Sequence, residues 1–135
     1  LAEAPPRLLS DPEFVLAAVR VNEQALRHAA PELRADREAV LRAVVADGRA
    51  LAHAAPSLRG DREVVLAAVR SAGSALAFAS TALQHDPEVI LEAVSQDGMA
   101  LFLVPREFYN DRRIVLAAVR QCGDALMRAS TALRD

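Results

Sequence analysis

His28 and His53 stand 25 residues apart, and two imidazoles in matching places along a chain are half of a metal site. Zinc would take two further donors at fixed geometry. The same interval continues with Phe78, Leu103 and Arg128, none of which supplies one, so the series reads as a variable exposed edge and no metal is expected. Asp11, Asp36, Asp61, Asp86 and Asp111 keep the same spacing without a slip. Clustered carboxylates can do acid–base work, but each of these opens an apolar segment, where accepting the free backbone N–H groups of a helix is a sufficient role. Cys122 is the single cysteine, and nothing in the spacing holds a histidine beside it, so a nucleophile is not expected. His85, in a turn before Asp86, reads as a surface residue. No glycine-rich phosphate loop, paired C-x-x-C or H-E-x-x-H occurs in the sequence. The chain is therefore expected to be non-enzymatic and to carry no cofactor.

The interval that disposes of these chemistries also defines the elements. A fixed period in this range marks a repeat architecture, whose units bury their apolar faces against neighbours. The expected boundaries are a partial unit at 1–10, then 11–35, 36–60, 61–85, 86–110 and 111–135, all in one continuous domain. After two of the cap aspartates, Pro12 and Pro87 suit the first helical position, and Glu13, Glu38, Glu63 and Glu88 complement the helix dipole. Arg113 departs from that habit and predicts a less favourable fifth start. The helix body is apolar at Leu16, Leu41, Leu66, Leu91 and Leu116 and again at Val19, Val44, Val69, Val94 and Val119. An alanine column, Ala18 to Ala118, predicts close approach of a neighbouring helix. Gly48, Gly73, Gly98 and Gly123 are expected to cap the helix C-termini in the left-handed conformation, with Glu23 in that place in the first unit. A shorter second helix then carries Ala-Leu at 25–26, 50–51, 75–76, 100–101 and 125–126. Leu33, Leu58, Leu83, Phe108 and Leu133 anchor the turn that follows. The predicted fold is all-α, an α-solenoid of five 25-residue two-helix repeats, with layers about 8–10 Å apart and a length of about 45 Å. A weaker period of 50 overlies it, since units 1, 3 and 5 share V-L-A-A-V-R while units 2 and 4 share Asp-Gly.

The formal net charge of −2 gives no strong attraction to nucleic acid or an anionic membrane. Arg20, Arg27, Arg37, Arg49, Arg62, Arg70, Arg120 and Arg128 offer a ridge for phosphates, but nearly as many carboxylates fall in the same turns, so a mixed solvated face is expected. No apolar run is long enough for a membrane span, no signal peptide is visible, and the lone cysteine fits a reducing, intracellular compartment. Residues 1–10 match the second half of a unit and the chain stops one residue short of a sixth. The expectation is a segment of a longer array or a processed chain.

The consensus D-x-E-V-V-L-A-A-V-x-x-x-G-x-A-L-x-x-A-x-x-x-L, carried almost throughout by Asp61–Leu83, resembles the short tandem repeats of the domain of unknown function 4116 family. The similarity extends over essentially the whole chain. It implies tandem helical repeats of the kind found in multi-repeat proteins of bacteria and single-celled eukaryotes, including algae, and it transfers no catalytic residue. Unit 4 departs most, with Val104-Pro105-Arg106 where other units have an Ala-Ser-Thr type of segment.

That unit also gathers the scarce large apolar groups. Phe108 takes the place of an anchor leucine and is expected in the core. Met99, Phe102, Leu103 and Tyr109 are expected to form a recognition patch for a protein partner. Phe78, His28, His53 and Arg128 join it as variable positions of the same edge. The expected function is a protein–protein interaction module or scaffold. The alternatives are a structural or linker subunit of a larger assembly, organellar or algal, and an accessory domain of a larger enzyme or effector.

Overall fold

A computed structural model of the chain describes residues 6–21, 23–121 and 123. All elements among the described residues are helical. Five ten-residue α-helices span Pro12–Val21, Arg37–Ala46, Arg62–Ser71, Pro87–Gln96 and Arg112–Gln121. Each begins directly after one of the periodic aspartates. The Oδ1 atoms of Asp11, Asp36, Asp61, Asp86 and Asp111 accept the amide two residues on at 2.9–3.0 Å. These bonds satisfy an orphan donor and set a negative charge at the positive end of the helix dipole. At the fifth helix Arg113 folds back, its Nη2 lying 3.3 Å from Asp111 Oδ2, so the basic residue in the first turn is neutralised by the cap itself.

The helix exits correct the sequence reading. No positive φ occurs among the described glycines, so Gly48, Gly73 and Gly98 are not left-handed C-caps; the φ of Gly123 depends on Cys122, which lies outside the described residues. Asp47 and Asp97 end their helices by turning extended, at φ −154° and −145°, and their carboxylates accept the amides of Arg49 and Met99. Ala72 takes the same backbone course at φ −148° without a side-chain bond. The glycine then opens the next segment and is buried in it at positions 48, 73 and 98. Its reason is space. A Cβ on Gly48 would stand 2.1 Å from the carbonyl oxygen of Ala68, and one on Gly73 would stand 2.5 Å from that of Ala93. Gly123 lies in a turn, and none of the described residues comes within 4 Å of such a Cβ.

Each glycine (Glu23 in the first unit) starts a six-residue 3-10 helix rather than a second α-helix: Glu23–His28, Gly48–His53, Gly73–Phe78 and Gly98–Leu103. A third segment follows, a single α-turn at Pro31–Arg34, Pro56–Arg59 and Thr81–Gln84, preceded by an equivalent at Pro6–Leu9. In unit 4 that turn is a 3-10 helix, Arg106–Asn110. The counterpart in unit 5, with Cys122 and Arg128, lies outside the described residues.

Strong contacts between elements all fall within one unit or between adjacent units: long helix on long helix, 3-10 helix on 3-10 helix. The buried columns are Val15/Val40/Val65/Ile90/Val115, the alanines at 43, 68, 93 and 118, the valines at 19, 44, 69 and 94, and Leu26/Leu51/Leu76/Leu101. The leucine column of the long helices is displaced from this stripe. Leu16 is buried, Leu41, Leu66 and Leu91 are half-buried, and Leu116 is 49% exposed. Each leucine follows a fully used valine or isoleucine by one residue, about 100° around the helix, so it lies at the rim of the core. Hydrogen bonds tie unit to unit as well. Ala55 N donates to Arg34 O at 3.0 Å and Ser80 N to Arg59 O at 2.9 Å. Gly48 N donates to Ser71 Oγ, and Gly73 N to Gln96 Oε1.

Candidate partner-binding surface

Two faces of the stacked units are set by the same period. At the N-terminal ends of the long helices, the arginine following one cap reaches the cap of the next unit. Arg37 pairs with Asp61 at 2.8 Å and with Glu63, and Arg62 pairs with Asp86 at 3.0 Å and with Glu88. Pro12 and Pro87 hold the equivalent places in units 1 and 4, where the ladder therefore has no such rung. Arg42–Glu13 and Arg70–Glu92 add pairs between adjacent long helices. The Arg37 guanidinium holds the Asp61 carboxyl below the usual carboxylate range. Burial works to raise Asp86, and its bonds to Arg62 and to the helix amides outweigh that and lower it. On this face the aspartates are engaged as helix caps, and Asp61 and Asp86 also hold the arginine of the preceding unit.

A second edge, formed by the 3-10 helices and the short turns, carries a cluster of exposed apolar groups. Met99, Phe102 and Leu103 are 41%, 38% and 40% exposed. Residues three apart eclipse in a 3-10 helix, so Met99 and Phe102 share one side of Gly98–Leu103, with Leu103 beside them. Units 2 and 3 present Arg49 and Ala52, and Ser74 and Ala77, at those two places, so among the described units the fourth alone puts large apolar groups at both. Unit 4 departs in backbone too. Pro105 occupies the position of the donors Ala55 and Ser80 and has no N–H to offer, so the backbone rung between units cannot form there.

Tyr109 does not belong to the patch. It is 4% exposed, whereas Phe108, expected in the core, is only half-buried. The change from an α-turn to a 3-10 turn in Arg106–Asn110 rotates the anchor by one residue, so Tyr109 turns inward where Leu33, Leu58 and Leu83 do in their units. Phe108 instead meets the His85 ring edge-on, with centroids 6.4 Å apart. His28 is exposed, His53 and Phe78 are half-buried, and Arg128 falls outside the described residues. Among the described residues no three His, Cys, Asp or Glu side chains converge as a metal site would require. No described helix is long and apolar enough to cross a membrane.

His53 and Phe78 lie in two successive clefts of one groove. The first, about 380 Å³, is bounded by Pro31, Arg34, His53, Ala55, Pro56 and Arg59. The second, about 330 Å³, shares Pro56 and Arg59 and is closed by Phe78, Ser80 and Thr81. Arg34 and Arg59 were absent from the candidate residues of the sequence. Their signal is that they follow the anchor leucines Leu33 and Leu58, one period apart, and a search by column for arginines other than those on the long helices would have found them.

The family model of a domain of unknown function, DUF4116, matches residues 1–34, 36–84 and 86–134. Its second and third matches each run across two 25-residue periods, in keeping with the overtone of 50 in the sequence. Comparison with curated proteins and with solved structures finds no match. With the family model covering nearly every residue, the chain belongs to the DUF4116 family of tandem helical repeats.

Proposed function

We propose that the chain is a non-enzymatic α-solenoid that binds another protein along the edge formed by its 3-10 helices. The observation that carries this reading is the exposed trio Met99, Phe102 and Leu103 on a unit where the regular interunit bonding is interrupted. An exposed cluster of Phe, Met and Leu costs solubility and is usually accounted for by a partner. Regular units build the stack, and unit 4 spends its regularity on a distinct surface. The nonenzymatic part of the reading is supported by the roles of the acidic groups, which cap helices or pair with arginines. Nucleic acid is not the expected partner, because Arg37, Arg42, Arg62, Arg70 and Arg113 of the long helices are already matched by carboxylates.

The test is capture from native extract with cross-linking. Phe102→Ala/Leu103→Ala should lose the partner at least tenfold while the far-ultraviolet circular dichroism stays unchanged, since both side chains are exposed. Undiminished capture by this variant would refute the surface. A second reading, a structural subunit held within a larger assembly, is favoured by the row of half-exposed leucines Leu41, Leu66 and Leu91 on the long-helix face. In that case the chain should remain associated with further subunits in light scattering of native material, and substitution at Leu66 rather than Phe102 should release it.

A further inference from the structure

The groove shared by units 1 to 3 contains a repeated charge without a counter-charge. Arg37, Arg42, Arg49, Arg62, Arg70 and Arg113 all pair with carboxylates. Among the described residues no carboxylate pairs with Arg34 or Arg59, the two arginines that line the clefts. Each is half-buried in its cleft, and each has its Nε sealed from solvent with no acceptor. A guanidinium that has lost part of its hydration and gained no partner is an unfavourable arrangement in the free protein. A carboxylate arriving in the cleft would restore charge-assisted hydrogen bonds to it.

The two arginines recur at one structural period, and the clefts share Pro56 and Arg59, so the groove runs from unit to unit. Packed helical layers are separated by about 8–10 Å. A ligand serving both arginines must present two anionic groups at about that distance on one side. A polyproline II segment rises about 3.1 Å per residue with three residues per turn, which places residues i and i+3 on one side about 9 Å apart. The remaining cleft walls combine apolar surfaces, Pro31, Pro56, Ala55 and the Phe78 ring, suited to the proline rings and methylene stems of such a peptide, with the polar groups of His53, Ser80 and Thr81. We infer that the Arg34–Arg59 groove binds an extended, proline-containing acidic peptide with a glutamate at every third residue, one carboxylate to each arginine. Nucleic acid is the poorer fit, because its affinity grows with the number of phosphates neutralised and this groove offers two guanidiniums on a chain of net charge −2.

This inference rests on the interaction-module reading and names the chemistry of one partner segment. The probe is a fluorescein-labelled peptide of four Pro-Pro-Glu triplets, titrated with the intact chain and followed by fluorescence anisotropy. Saturable binding is expected, weakened at least tenfold by R34Q/R59Q and progressively by sodium chloride. Arg112→Gln, at an exposed arginine remote from the groove, should bind as the parent does. Four Pro-Pro-Gln triplets should not bind the parent chain, a control that needs no protein variant. Absence of Pro-Pro-Glu binding, equal binding of the glutamine peptide, or full binding to R34Q/R59Q would each overturn the inference. So would a 12-nucleotide oligouridine that binds more tightly than the peptide and is lost in the same variant. Should the Pro-Pro-Glu peptide fail while native capture still depends on Phe102 and Leu103, the groove assignment falls and the module reading stands.

Discussion

At the residue scale the glycines show how one residue type can be right for a reason the sequence does not display. A glycine one period after another, following a run of helix formers, has the look of a left-handed cap. Gly48 instead lets its unit lie against the carbonyl oxygen of Ala68, and the Asp47 before it does the work of ending the helix. The alanine column and the glycine column are the two sides of that one close approach. Only the alanine side was legible, because a methyl-only position signals proximity while glycine signals either proximity or backbone freedom. The distinction can be measured. Gly48→Ala should destabilise the chain by roughly 2–4 kcal/mol, since the new methyl meets rigid backbone at 2.1 Å. Gly60→Ala is the counterpart: its backbone, at φ −98° and ψ 1°, is accessible to alanine, and the nearest atom to a new Cβ is 3.7 Å away. It should be neutral or stabilising by up to about 1 kcal/mol through the unfolded chain. Similar denaturation midpoints for the two variants would show that neither glycine is fixed by space.

At the element scale the long helices were the most legible part of the chain, because cap, proline, acidic first turn and apolar stripe all agree on their starts. The 3-10 helices were not. Six residues of Ala-Leu-rich sequence suit either helix type, and the choice is made by contact with the adjoining unit. The turn of unit 4 shows the same limit, since the swap of Phe108 and Tyr109 between surface and core depends on a change of helix type that single residues do not announce. The N-terminal ladder has a consequence for acid stability. The carboxyls of Asp61, Asp86 and Asp111 are lowered in the folded chain, Asp61 chiefly by Arg37 and Asp111 chiefly by Arg113. A group lowered on folding contributes fully above its unfolded pKa, about 3.9 for aspartate, and that contribution is lost as pH falls through the folded value. The melting temperature should therefore be flat from pH 7 to about pH 5 and decline below about pH 4. R37Q/R62Q should lower the plateau slightly and flatten the decline, as the freed carboxyls return toward their ordinary range. An identical acid profile in that variant would mean that the caps are held by their helix amides alone.

At the scale of the whole molecule the period of 25 carried the architecture, and what it could not carry is the difference between one unit and the next. The trio on unit 4 was visible because Met99 and Phe102 stand where units 1 to 3 have polar or small residues, with Leu103 beside them in a column that already held Phe78. Arg34 and Arg59 were not legible as a site because a sequence does not display which arginines are paired; the folded chain gives Arg37 and Arg62 carboxylates and, among the described residues, leaves the Nε atoms of Arg34 and Arg59 without an acceptor. If the units stack as a solenoid, stability is a sum of unit and interface contributions, and damage in one layer stays local. Leu101 is fully buried, and its 3-10 helix touches Pro87–Gln96, Arg112–Gln121 and Gly73–Phe78. Leu101→Ala should cost about 2–5 kcal/mol where it acts. Native-state hydrogen exchange should then accelerate in those three segments, whereas the amides of Arg37–Ala46, two units away, should keep their parental rates. A single closed body would behave otherwise, because removing a core leucine from a cooperative unit lowers the opening energy of every globally exchanging amide alike. Uniform acceleration from Arg37 to Gln121 would thus replace the layered stack with one shared core.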